Sequence, residues 1–278
     1  MARPWVSPIV SGAGAMLTRL ERPMPSPVID ILMYHSIAEG VGPSYTPPAV
    51  FEAQMDAIAK SGIPVLTLDD LVAARAGAKD LPQRSIVITF DDGYLDFAET
   101  AYPILERHGF ACTVYIATSY IGGIETWPGG YSPPRRVMDW DHVDALSKKG
   151  IQFGSHSVKH IDLNAMNAQE LLRELRSSKA ELEDKLGKQV DHFSPPYGIA
   201  DHYARTQVGR IYKTSVGTIF DRVTVDSDVL DLPRLEMYYY LNPDRWRAHL
   251  AGEGETYMKR RQMLRYAREV VSRSWEGA

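Results

Sequence analysis

Three short apolar runs, RSIVITF (84–90), ACTVYIA (111–117) and IQFGS (151–155), are separated by longer stretches whose apolar residues recur every three or four positions. A run apolar on both faces of a strand must be covered on both faces. Strand and helix in regular alternation bring successive strands together in parallel, with the helices outside. The rhythm begins with VIDILMYH (28–35) and the helical PAVFEAQMDAIAKSG (48–62), in which Phe51, Met55 and Ile58 share a face before Gly62 stops it. It continues through LDFAETAYPILERHG (95–109) and DWDHVDALSKKG (139–150), the latter with Asp139 as N-cap and Gly150 just past its end. AQELLRELRSSKAELEDKLG (168–187) is the clearest helix, with Leu171, Leu175, Leu182 and Leu186 on one side. VDHFS and YKTSV add two strands, and TYMKRRQMLRYAREVVSRS (256–274) a C-terminal helix. The pattern predicts an α/β chain, either a (β/α) barrel or a doubly wound sheet, without internal repeat.

The 278 residues suit one large α/β domain or two small ones. The Pro-rich residues 1–27 read as a flexible leader, and 28–278 as a single domain. Thirty-one Lys and Arg against 35 Asp and Glu, with no basic block, argue against a nucleic-acid partner. No apolar run reaches the roughly 18 to 20 residues of a membrane span. The one cysteine, Cys112, lies within ACTVYIA and reads as a small buried hydrophobe.

Reactive groups in parallel α/β folds sit beyond the C-terminal ends of the strands. Applied here, that rule selects His35, the pair Asp91 and Asp92, the pair His156 and His160, and the turn SPPYG (194–198). The aspartates raise a problem, because neighbouring side chains on a strand face opposite ways and an unpaired buried ion is costly. Gly93 can relax the backbone so that both reach one cavity. His156 and His160 are four apart, a spacing that on a helical turn brings two imidazoles to one ion. Two histidines and one carboxylate leave open positions on a metal, as a catalytic site requires. One aspartate then serves the metal and the other is free as a base for water.

In that order TFDDGY, HSVKH and FSPPYG resemble the signature motifs of the polysaccharide deacetylases, carbohydrate esterase family 4, over roughly residues 28–240. The resemblance implies a distorted (β/α) barrel that removes N-acetyl groups from N-acetylglucosamine polymers. It implies Asp91 as general base, Asp92, His156 and His160 as ligands of one divalent metal ion, and Tyr197 as the residue whose backbone N–H faces the oxyanion. Zinc is the first choice of metal, with cobalt, nickel or iron also suited to such ligands.

Two departures matter. The late LxH motif is missing, and ILMYHSI on the first strand resembles the rearranged order of the bacterial poly-N-acetylglucosamine deacetylases. First and last strands are neighbours in a closed barrel, so His35 is expected as the general acid. Ser194 stands where the family often has an arginine that pairs with the base, and Arg234 in LPRL, near another strand end, is the candidate replacement.

For the sugar, Trp127, Tyr131 and Trp140 in the Gly- and Pro-rich connection 121–140, together with Pro196, are the candidate contacts. Trp140 also suits packing at a helix start, the role we favour for it. Arg135 and Arg136 read as a solvated rim. The expected partner is a carbohydrate polymer or oligomer, in exopolysaccharide or cell-envelope synthesis. Two alternatives are a metal-dependent hydrolase of a small amide and a catalytically silent glycan-binding module.

Overall fold

The computed structural model describes residues 26–130 and 133–276. Its first strand, β1 (Val28–Tyr34), is followed by α1 (Pro48–Ser61), a short β2 (Val65–Leu66), α2 (Leu68–Arg75) and β3 (Arg84–Phe90). β1 and β3 pair in parallel along their whole length, from Val28 with Arg84 to Tyr34 with Phe90. A π turn (Phe97–Ala101) leads into α3 (Tyr102–His108), so the helix expected over 95–109 changes its winding where Pro103 lacks an N–H to donate. There follow β4 (Thr113–Ile116), α4 (Trp140–Lys148), β5 (Gln152–Ser155), α5 (Ala168–Leu186) and β6 (His192–Phe193). The chain ends with α6 (His202–Gly209), β7 (Thr214–Ser215), β8 (Leu235–Glu236), α7 (Pro243–Leu250) and α8 (Glu255–Glu276). The leader expected over 1–27 falls almost wholly outside the described residues.

All ladders are parallel, in the order β7-β6-β5-β4-β3-β1-β8, with β2 alongside β3. The two ends of this curved sheet meet at a single parallel bridge between Val216 and Leu232. The architecture is the distorted (β/α) barrel, not the open doubly wound sheet. β1 lies between β3 and the last strand β8, as a first-strand histidine at the mouth requires.

The alternation of side chains along each strand divides the core in two. Ile29, Ile31, Val87, Tyr115, Val216 and Leu232 form an inner cluster with Leu68 and Leu71 of α2, whose start is fixed by a Thr67–Asp70 capping box. α2 therefore closes the barrel at the end away from the strand C-termini. The alternate residues Leu32, Tyr34, Ile86, Ile88, Phe90, Val114 and Ile116 join Phe51, Met55 and Ile58 of α1 in the outer cluster. Leu171, Leu175 and Leu182 of α5 are buried there too, each stabilising by roughly 1.5–3 kcal/mol. Gly154 of β5 leaves room inside, since a Cβ there would lie 2.5 Å from the Tyr115 ring. Cys112 is buried and its thiol is pushed up by desolvation, so it packs as a hydrophobe. Among the described residues no helix is long and apolar enough to cross a membrane.

Candidate active site

Asp91 continues the alternation of β3. Val87, Thr89 and Asp91 are on the same parity, and the Asp91 N–H still donates to the Tyr34 carbonyl at 2.9 Å. Its carboxylate meets Arg234, which rises from the approach to β8 and is 1% exposed. The guanidinium grips it with both arms, Nη1 to Oδ1 at 2.7 Å and Nη2 to Oδ2 at 2.8 Å. Arg234 also donates through Nε to the Gly217 carbonyl at 2.9 Å, and through Nη2 to the Ser194 hydroxyl at 3.4 Å. The serine at the motif-arginine position thus touches the arginine expected from another strand. Burial alone would raise the Asp91 carboxyl, but the charge and hydrogen bonds of Arg234 hold it below the ordinary range.

Asp92 would face the helices if the strand simply continued. Instead Asp92 is left-handed at φ 72°, a conformation Asp tolerates better than most residues, and Gly93 follows at φ 67°. A Cβ on Gly93 would lie 2.5 Å from the Ile116 side chain, so only glycine fits this reversal. The turn brings Asp92 Oδ1 to 3.1 Å from His160 Nε2 and 3.4 Å from His156 Nε2. Hydrogen bonds from both rings outweigh burial and hold the Asp92 carboxyl well down.

The expected helical turn for the two histidines is corrected. Residues 156–160 are a loop beyond β5, with Ser157 at φ 64° and His160 at φ 51°. The rings still converge, at 4.8 Å between centroids, because the loop doubles back rather than because a helix stacks them. His156 Nδ1 lies 2.6 Å from the Ser194 carbonyl, which assigns its proton there and leaves Nε2 facing Asp92. His160 stacks on Trp127 at 4.4 Å and meets Tyr197 edge-on at 4.9 Å. Among the described residues its buried Nδ1 has no hydrogen-bond partner. Asp92, His156 and His160 offer ligand atoms all within 4.8 Å of one another. One carboxylate and two imidazoles, one of them oriented by a carbonyl on its far nitrogen, are a donor set that fits a divalent ion.

His35 follows β1 at the rim, 20% exposed, with Nε2 4.0 Å from Asp91 Oδ2. Tyr197 is left-handed at φ 60°, and its hydroxyl donates to the Pro128 carbonyl at 2.8 Å. These residues line a cavity of about 250 Å³ at the barrel mouth, together with Met33, Ser44, Thr218 and Glu236.

The aromatic candidates separate. Trp127 lines the cavity but is buried, with one face given to His160. Trp140 begins α4, packs on the outer core and has Lys185 Nζ 5.8 Å from its ring, away from the cavity. Pro196 is buried in its turn, and Tyr131 lies outside the described residues. Arg135 is not the solvated rim expected of it, whereas Arg136 is exposed. The Arg135 guanidinium lies 3.7 Å over the Tyr94 ring and donates to Glu125 Oε1 at 2.8 Å and Oε2 at 2.9 Å. Tyr94 closes the triangle by donating to Glu125 Oε2 at 2.6 Å. Glu125 escaped the sequence reading because a lone acid in a Gly- and Pro-rich loop carries no periodicity to mark it.

Fold and site together define a parallel barrel whose strand ends hold an Asp-His-His triad that could hold an ion, beside a separately paired aspartate. The family model described as polysaccharide deacetylase matches residues 78–213, just under half of the chain, and marks that segment as a polysaccharide deacetylase domain. Bacillus subtilis YxkH, whose name assigns it to the same family, is 28% identical over 180 residues, 65% of this chain and 59% of that protein. A Staphylococcus aureus poly-beta-1,6-N-acetyl-D-glucosamine N-deacetylase is 24% identical over 166 residues, 54% of this chain and 52% of its own. The chain thus spans a little over half the length of these two relatives. Among solved structures, IcaB from Ammonifex degensii superposes with a TM-score of 0.69 at 19% identity, over 82% of this chain and 97% of that one.

Proposed function

We propose that the protein is a metal-dependent hydrolase that removes acetyl groups from an N-acetylglucosamine polymer or oligomer, with Asp92, His156 and His160 holding the ion. The observation that carries this reading is the separation of Asp91 from the triad: it is bound by Arg234 at 2.7 and 2.8 Å while its neighbour Asp92 faces the histidines. An aspartate so placed is ionised, oriented and free of ligand duty. The likeness to the Staphylococcus aureus relative, named for poly-beta-1,6-N-acetyl-D-glucosamine, supports the choice of substrate.

A divalent ion bound at the triad would polarise the amide carbonyl and acidify water nearby. Asp91 accepts a proton from the attacking water, and the Arg234 fork keeps its oxygens aimed as charge moves. His35, at 4.0 Å from Asp91, is placed to give a proton to the leaving nitrogen. The Tyr197 backbone N–H, in its left-handed turn at the cavity, stabilises the developing oxyanion. Water and acetamide thus become acetate and a free amine.

The test is acetate release from N-acetylglucosamine oligomers by zinc-loaded protein, with chelated protein and Asp91→Asn as controls. Turnover is expected only in the loaded wild type, and the variant should lose about 100-fold or more. Stoichiometric zinc uptake without release from any oligomer would overturn the substrate class and leave the ion site standing.

A further inference from the structure

The loop carrying both candidate ligand histidines is shaped from behind by α5. Residues 156–160 are neither helix nor strand, and two of them are left-handed without being glycine. Such conformations persist only where the surroundings impose them. Much of the constraint comes from one face of α5. The Glu174 carboxylate, 9% exposed, accepts the Val158 N–H at 2.8 Å and the Lys159 N–H at 2.9 Å, both on Oε2. One turn further along, the Ser178 hydroxyl meets the Ser155 hydroxyl at 2.7 Å, and Ser155 Oγ accepts the Ser157 N–H at 3.2 Å. From the opposite side, the Thr118 and Ser119 N–H groups donate to the carbonyls of Ser157 and Val158 at 3.2 and 3.0 Å.

Val158 and Lys159 lie midway between the two histidines in the chain. A carboxylate that grips their N–H groups fixes the arc of the loop, and hence the distance between the imidazoles. Leucine at this position would offer neither N–H an acceptor. We propose that Glu174 is a positioning residue for the ion site, setting the loop so that His156 and His160 face Asp92 together. This rests on reading the triad as an ion site. Because the acceptor is charged, its bonds to the loop are stronger than a neutral side chain would make.

The test uses the full chain stripped of metal. Zinc affinity is measured by competition with a chromophoric chelator, the absorption spectrum of the cobalt-loaded protein reports ligand geometry, and apo-protein melting is the control for folding. Glu174→Ala should weaken zinc binding by about 10–100-fold and change the cobalt spectrum. Glu174→Gln, which keeps an acceptor oxygen of the same reach, should restore most of that loss. If the alanine variant does not fold, Glu174→Asp decides: its carboxylate is withdrawn by one methylene, so weaker zinc binding supports the proposal. Wild-type affinity and an unchanged cobalt spectrum in the folded variant, whatever its melting temperature, overturn it. Failure of the wild type to take up zinc would instead remove the ion-site reading, and the role of Glu174 with it.

Discussion

Asp91 and Asp92 share a peptide bond but not an environment. One completes the inward row of β3 against an arginine, and the other is swung by a left-handed turn towards two imidazoles. The dependence of Asp91 on a fork rather than on mere positive charge can be tested directly. Arg234→Lys keeps the charge but replaces two fixed donors with a flexible point, and turnover should fall by about 100-fold while zinc content is unchanged. Unaltered kinetics would remove Arg234 from its role. Asp91, Asp92, His156 and His160 were legible in the sequence because strand ends collect reactive groups and the four fall at two of them. Arg234 was legible only through a vacancy, the serine at 194. The pairing of Glu125 with Arg135 was not, because a loop without periodicity gives no rule for which residues meet across it. The same limit explains the histidine loop, whose spacing mimics a helix that the backbone does not form.

Helices with a long apolar stripe were read from the sequence at close to their true bounds, α5 above all. The elements that escaped are short: β2 and β8 have two residues each, and α2, α6 and α7 eight. They exist because the barrel needs a floor and a closing strand, a tertiary demand that local pattern does not announce. α7 is tied to the foot of β1 by a buried ion cluster. Asp30 Oδ2 lies 3.0 Å from His249 Nε2 and 3.2 Å from Arg84 Nη2, and Oδ1 lies 3.0 Å from Arg222 Nε. Burial alone would raise the Asp30 carboxyl, but the His249 hydrogen bond and the charges around it bring it below its ordinary value. A carboxylate depressed in the folded state contributes stability that is complete above its unfolded pKa of about 3.9 and is lost as pH falls through the lower folded value. Asp30→Asn should therefore cost about 3 kcal/mol at neutral pH. In denaturant titrations that difference from wild type should shrink below about pH 4. A constant difference across that window would mean the cluster acts by packing alone.

Across the whole molecule, the inner cluster resting on the floor helix supports the barrel from below, and Asp92, His156 and His160 converge at its mouth. An ion held there binds the folded chain and not the unfolded one, so it must raise global stability. Zinc at about 100 times its Kd should add about 2.7 kcal/mol, seen as a higher melting temperature than in chelated protein. Asp92→Asn should abolish that gap, and a gap that survives would place zinc elsewhere. Barrel and family were legible in the sequence, but the closure was not: no pattern in residues 214–236 marks where the ring joins itself. It joins around one bridge, where the Gly217 N–H donates to the Leu232 carbonyl and the Leu232 N–H to the Ser215 carbonyl, flanked by the Ser215 N–H on the Val229 carbonyl and the Arg234 N–H on the Ile219 carbonyl. Arg234 stitches the same place through its contact with the Gly217 carbonyl. The seam is shorter than the seven-residue pairing of β1 with β3, and local opening there is expected to show as exchange of the Gly217 and Leu232 amide hydrogens ahead of that pairing. Because Arg234 holds both this seam and the Asp91 carboxylate, exchange at two backbone amides would report on how firmly that buried pair is kept in place.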